Sequence, residues 1–255
     1  MSRPDASKSV VVGIDGSPEA VNAAVWAVDE ASSRDVPLRL VHVVGVQWPT
    51  AHLPAEAVEL GESALLEAQT AVQGQDRPVE VETVVLGGDL VDALIEESRH
   101  AAMICVGLES GQGPRRTRPG DIGVALARRA HCPVAIIRSY RGEPPIDSGW
   151  ITVMLNDQPD NDAVVHQAML EARLRGAPVL QIDGRADSWT RRYPDVPVYT
   201  MSVHRDTLPS HESHYGTAQL VVVSSDDAEA ATSPGGTAWH PLISPGECSL
   251  LVVRG

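Results

Sequence analysis

The residues best suited to chemistry lie in one stretch, GLESGQGPRRTRPGD, which runs from Gly107 to Asp121 behind the apolar run AAMICV. Its glycines let backbone N–H groups approach a ligand, and Arg115, Arg116 and Arg118 carry the charge that pairs with phosphate. A helical pattern opening near residue 121 aims its own N–H groups and positive dipole end at the same place. These are the parts of a phosphate cradle. Asp121 is the contrary residue, because an ionised carboxylate only accepts hydrogen bonds and repels an anion. Asp15, behind SVVVGI, is the second polar candidate. Its carboxylate could accept from a ribose hydroxyl or a base nitrogen, or it could close an Asx-turn ahead of a helix; the two roles weigh equally.

Other constellations are weaker. There is no GxxxxGK[ST] loop, Gly111-Gln112-Gly113 is too short for a dinucleotide fingerprint, and no Ser-His-Asp arrangement is legible. The chain is therefore not expected to be an enzyme. His211-x2-His214, with His204 nearby, could set two imidazoles on one helix face, but no further ligand pattern follows and exposed polar residues explain them better. His42 falls inside a strand and reads as a hydrogen-bonded core or edge histidine. Cys105, Cys132 and Cys248 stand in or beside strands without a CxxC spacing, which fits reduced, buried thiols in a cytoplasmic protein.

The elements that must position these residues alternate. SVVVGID is a strand, and Val21, Ala24, Val25, Val28 and Ala31 recur at helical spacing after it. Ser17 before Pro18 reads as an N-cap followed by proline at the first helical position. VPLRLVHVV, VEVETVVL, AAMICVG and CPVAIIR are further strands. Residues 54–73, 89–100 and GDIGVALARRA are the helices between them. Strict alternation implies an α/β fold with a mainly parallel sheet covered on both faces. In such a sheet a ligand sits beyond the carboxyl ends of strands where their order reverses. If the first and fourth strands are neighbours, Asp15 and the 107–121 loop line one crevice.

The pattern is written twice. A shift of 141 places Val12 on Val153, Pro18 on Pro159, Glu30 on Glu171, Arg34 on Arg175 and Pro37 on Pro178. Further on, Val79, Val81, Thr83 and Asp89 fall on Val196, Val198, Thr200 and Asp206, a shift of 117. The second copy therefore lacks 141 − 117 = 24 residues where the first has its second helix. Cys132 finally falls on Cys248. The expected domains are residues 1–138 and 150–255, joined by the Pro- and Gly-bearing linker 139–149. In the second copy Asn156 and Asp157 replace Asp15 and Gly16, and Ser224-Ser225-Asp226-Asp227 replace the start of the loop. Gly236-Thr237 survive, but Pro241 and Pro245 break the fourth helix, so that copy reads as a scaffold.

At 255 residues, 43% hydrophobic and 21% charged, the chain has ordinary globular composition, and its core must rest on aliphatic residues because Phe is absent. A net charge of −14 disfavours nucleic acid as a partner. No apolar run approaches the roughly 20 residues that cross a bilayer, and no secretory segment is legible, so no membrane partner is expected.

GIDGSPEAVNAAVWAVDEASSRDVPLRLVHVV, the 107–121 loop and RRAHCPVAIIR together resemble the universal stress protein family, of the tandem type common in actinobacteria. The resemblance implies two domains, each a five-stranded parallel sheet of order 3-2-1-4-5, the second truncated and degenerate. It implies adenine nucleotide binding without established catalysis, and a role as stress-response sensor or regulator. The family motif Gly-x2-Gly-x9-Gly-Ser/Thr becomes Gly107-x2-Ser110-x9-Gly120-Asp121 here. The implied site is Gly13, Asp15, Val43 against the adenine, Gly107, Ser110, Gly120 and Asp121. Ser110 adds a Cβ where backbone must come close. Asp121 replaces a hydroxyl donor, and at about 4 Å and an effective dielectric near ~20 its repulsion of a phosphate charge costs roughly 4 kcal/mol, about a thousandfold in affinity. Compensation could come from the three arginines, from Mg²⁺ held by Asp121, or from a ligand such as AMP that does not reach it. The alternative is a protein-interaction module that has lost ATP binding; a slow ATP hydrolase is a distant third. The resemblance also implies pairing through the fifth-strand edges. CPVAIIR and CSLLVVR could meet between chains as a homodimer or within one chain as a pseudo-dimer.

Overall fold

Three consecutive β-branched residues, Val10-Val11-Val12, form the middle of β1 (Ser9–Gly13), and all three are buried, as a strand covered on both faces requires. The computed structural model describes residues 8–45, 53–109, 119–155, 161–182, 189–201, 218–228 and 248–254. After β1 the chain alternates: α1 (Pro18–Arg34), β2 (Leu38–Val44), α2 (Ala55–Gln73), β3 (Val81–Gly87), α3 (Leu90–Glu97), β4 (Ala101–Glu109), α4 (Pro119–Arg129) and β5 (Val134–Ser139). The second half follows with β6 (Trp150–Met154), α5 (Asn161–Arg175), β7 (Val179–Ile182), the single turn α6 (Trp189–Arg192), β8 (Val198–Met201), β9 (Ala218–Ser224) and β10 (Ser249–Val253).

Ten strands make one sheet in the order β3-β2-β1-β4-β5-β10-β9-β6-β7-β8. Each half has the expected order 3-2-1-4-5, and the halves meet fifth strand to fifth strand. β5 and β10 pair antiparallel within the one chain, Leu250 opposite Ile136, Leu251 opposite Ala135 and Val252 opposite Val134, while every other pairing is parallel. The apolar edge of each fifth strand is thereby covered by the other. Side-chain alternation splits the core into two layers. Val10, Val12, Met103 and Cys105 face α1, α2 and, across the sheet, α5; Val11, Ile104, Val106 and Leu108 face α3 and α4.

α1 begins as its sequence dictates. Ser17 caps it by accepting from the Ala20 N–H at 3.2 Å, and Pro18 occupies the first helical position. Asp35 ends it in the left-handed conformation, φ 52°. The linker is fastened to the same helix, because the Asn22 amide donates to Ser139 Oγ and to the carbonyls of Gly142 and Glu143 at 3.1, 3.0 and 2.9 Å. In the second half the one-turn α6 stands where the first half has the 19-residue α2, in the stretch that carries the 24-residue deficit. None of the three cysteines is in a disulfide, and Cys105 and Cys132 are buried. Among the described residues no helix is long and apolar enough to cross a membrane.

Candidate functional site

The turn from β1 into α1 is built around Asp15. Its Oδ1 accepts from the Ser17 N–H at 2.9 Å and from the Ser17 hydroxyl at 2.5 Å, and Gly16 between them takes φ +87°. The Asx-turn role is therefore real, but it occupies one oxygen. Oδ2 has no partner among the described residues, and the residue is exposed. Both weighed roles thus remain compatible in one carboxylate.

This turn stands over a cavity of about 430 Å³ at the carboxyl ends of β1 and β4, the two strands between which the sheet order reverses. Gly13, Ile14, Asp15 and Ser17 form one wall, and Val106, Gly107, Leu108 and Glu109 the facing one. His42 and Val43 close the end of β2; Leu90, Leu94 and Ile122 supply an apolar floor from α3 and α4. The structure thus brings Gly13, Asp15, Val43 and Gly107 to one cavity. Gly120 lies in the first turn of α4. Ser110 and Arg115, Arg116 and Arg118 lie outside the described residues, as do His204, His211 and His214 and the side chain of Asp121.

Two sequence expectations change. β4 does not stop at Gly107 but runs to Glu109, with Gly107 paired to Ile137 and Glu109 to Ser139. Gly107 is consequently an interior strand residue, and the reason for glycine lies beneath it. A Cβ there would stand 2.1 Å from the Glu19 carbonyl oxygen and 2.6 Å from the Ala20 nitrogen, so the first turn of α1 could not pack on β4. At Gly13 the nearest atom to such a Cβ is Leu94 Cδ1 at 3.5 Å, an ordinary contact. The second change concerns α4, which starts at Pro119 instead of near residue 121, since proline suits a helix's first position. Asp121 therefore stands third in the helix and does not precede it as a cap.

His42, expected in the core or at an edge, borders the cavity. Its Nδ1 lies 2.8 Å from the Ile14 carbonyl, which can only accept, so Nδ1 carries the proton. Its ring packs so closely on α2 that a Cβ at Gly61 would meet Cδ2 at 2.5 Å. A glycine inside an otherwise regular helix was the available sequence signal for this contact. The floor residues of α3 and α4 carried no such signal, because they resemble any other apolar helix face.

The described lining can hold a flat apolar group and offers carboxylate acceptors at the mouth. It contains no lysine or arginine. Among the described residues no group of three or more His, Cys, Asp or Glu could hold a metal ion. At the corresponding end of the second half, the Ser224 hydroxyl donates to Asp227 Oδ2 at 2.9 Å and accepts from the Asp227 N–H at 3.3 Å. Asn156, Asp157, Gly236, Thr237, Pro241 and Pro245 are outside the described residues.

The model of the universal stress protein family matches residues 6–138. The universal stress protein Rv2624c of Mycobacterium tuberculosis is 38% identical over 262 residues, covering 97% of this chain and 96% of the relative. Universal stress protein Rv3134c of the same organism is 39% identical over 279 residues, covering 100% and 98%. In fold, the chain is similar to a crystal structure of a universal stress protein from Archaeoglobus fulgidus, with a TM-score of 0.65 over 97% of this chain and 96% of the other at 13% identity.

Proposed function

The chain belongs to the universal stress protein family, and on that premise we propose that its first domain, residues 1–138, binds an adenine nucleotide weakly in the β1–β4 crevice and acts as a stress-response sensor or regulator. The observation that carries this reading is the cavity. Its floor is apolar, its mouth is polar, and it opens where strand order reverses. Adenine lies against Val43, Leu90 and Leu94, and Asp15 Oδ2 accepts from a ribose hydroxyl. Bare Gly13 leaves room beside Leu94 and Val106. The family motif assigns the phosphate end to Ser110, Gly120 and Asp121. Because the described lining supplies no cation, a single phosphate is favoured, AMP over ATP, unless the loop arginines or Mg²⁺ at Asp121 add positive charge.

Titration calorimetry of the whole chain with ATP, ADP and AMP, with and without Mg²⁺, tests this. Binding of AMP at or below millimolar concentration is expected, and failure of all three to bind at millimolar concentration overturns the proposal. Asp121→Ser is expected to tighten ATP; a loss of affinity on that change means metal bridging instead. The second reading, a nucleotide-independent interaction module, is favoured by the acidic substitution at Asp121 and requires calorimetric silence.

A further inference from the structure

The hydrogen bonds of β2 end unevenly at the cavity, and His42 is the reason. Along a parallel strand the backbone groups of successive residues point alternately to the two neighbouring strands. The Val41 carbonyl accepts from the Ile14 N–H at 2.8 Å, so Val41 faces β1. The Val44 carbonyl accepts from the Gly88 N–H at 3.0 Å, so Val44 faces the β3 side. Val43, two residues beyond Val41, therefore turns both its N–H and its carbonyl towards β1. The β1–β2 ladder stops at the pairing of Gly13 with Val41. Its next rung would run from the Val43 N–H to the Ile14 carbonyl. That carbonyl accepts instead from His42 Nδ1, 2.8 Å away. Among the described residues the Val43 N–H has no backbone acceptor and the Val43 carbonyl no backbone donor.

Backbone groups away from water are nearly always paired, so a half-buried residue with both groups open at a cavity wall marks a place for a ligand. The side that Val43 faces is where β1 has ended and the cavity begins. A donor beside an acceptor matches the edge of adenine, where N1 accepts and the N6 amino group donates. Guanine reverses the pattern, N1–H donating and O6 accepting, so donor meets donor and acceptor meets acceptor. The His42 ring is held in place by α2, where Gly61 has no Cβ to displace it. We propose that His42 is a positioning residue for the nucleobase: it takes up the Ile14 carbonyl, keeps the Val43 backbone free, and thereby sets adenine over guanine. This selectivity rests on the nucleotide reading of the crevice, whereas the diverted carbonyl needs no ligand.

His42→Phe keeps a flat ring against Gly61 and removes the donor, while His42→Asn retains an N–H near the Nδ1 position. Amide hydrogen exchange of the full chain without ligand, followed by nitrogen-15 NMR, reads the diverted bond. The Val43 amide is expected to exchange freely in the natural chain and in His42→Asn. In His42→Phe, where the Ile14 carbonyl is released to it, exchange should slow by about tenfold or more. Equal exchange in the natural chain and His42→Phe overturns the proposal. Titration calorimetry with AMP and GMP reads the base. AMP should bind at least about tenfold more tightly than GMP in the natural chain and in His42→Asn, with the ratio falling towards one in His42→Phe. A merely structural role would weaken both nucleotides alike, and an unchanged ratio in His42→Phe also overturns the proposal. Binding of neither nucleotide to the natural chain overturns the nucleotide reading and base selection together. The exchange contrast then separates that failure from a failure of His42. If His42→Phe does not fold, His42→Leu carries the same test with a smaller side chain.

Discussion

Gly107→Ala separates two reasons for a glycine at the edge of a ligand cavity. If the residue only leaves space for phosphate, the variant should lose affinity and keep its stability. The packing says otherwise. The added methyl would lie 2.1 Å from the Glu19 oxygen and 2.3 Å from its carbonyl carbon, against roughly 3.5 Å for an unstrained contact. One partner must retreat by more than about 1 Å. β4 cannot do so cheaply, because it is hydrogen-bonded to β1 on one side and β5 on the other. The first turn of α1 is held by the Ser17 cap and the Asp15 turn. Overpacking typically costs about 1–3 kcal/mol, and a clash with backbone belongs at the upper end, about 3 kcal/mol. For a chain of this size that lowers Tm by about 6–12 °C. Urea unfolding of the ligand-free protein measures it, with Gly13→Ala as the control, since the nearest atom there is at 3.5 Å and the cost should stay within about 0.5 kcal/mol. Equal urea midpoints for the two variants would refute the packing explanation.

The same turn gives two further tests. Ser17→Ala removes the cap on Ala20 and the hydroxyl bond to Asp15, and thermal unfolding should show a loss of about 1 kcal/mol. Asp15→Asn keeps an Oδ1 acceptor for the turn but replaces Oδ2 with a donor; calorimetry should show AMP affinity falling about tenfold or more with stability nearly unchanged. The thiols differ in reach. Burial pushes Cys132 up to about 11 and Cys105 well above its usual value, so at pH 8 only about one Cys132 in a thousand is thiolate. Alkylation of the native chain at pH 8, read by peptide mass spectrometry, should mark the less buried Cys248 first, with Cys132 gaining label only as pH rises towards 11.

Periodicity made the fold legible because each element announces itself locally. Val10-Val11-Val12 cannot be anything but a buried strand beside Ser17-Pro18, and α1 shows its buried alanines at three- and four-residue steps. The repeat carried the same alternation into the second half, while the sheet order there came from what the family resemblance implies. The 24-residue offset located the missing helix, and α6 stands in the gap. The candidate site was legible only in part. Asp15 carries its own turn signature, and Val43 follows from its place at the end of β2. In sequence Gly107 suggests a ligand's approach, whereas its close neighbour is the backbone of Glu19. A glycine shows in sequence that something comes close, never what comes close. His42 escaped its cavity assignment for a related reason, since the contact with Gly61 joins residues 19 positions apart on different elements.

What the second half keeps and loses follows a spatial rule. The lost helix is the counterpart of α2, which in the first half covers β2 and β3, far from the joint. Its burial is replaced by aromatic bulk: Trp189 and Tyr193 are both buried, and Arg192 lies over both rings. The His166 Nδ1 and the Tyr193 hydroxyl, 2.6 Å apart, tie this patch to α5. α5 and β10 are retained, and both meet the first half. β10 zips to β5, and α5 carries Glu171 and Arg175 to Glu30 and Arg34. The second half closes the end of its fourth strand with Ser224 on Asp227 and keeps the joint. The second copy is therefore tied to the first by the β5–β10 pairing and by the buried charges of α1 and α5.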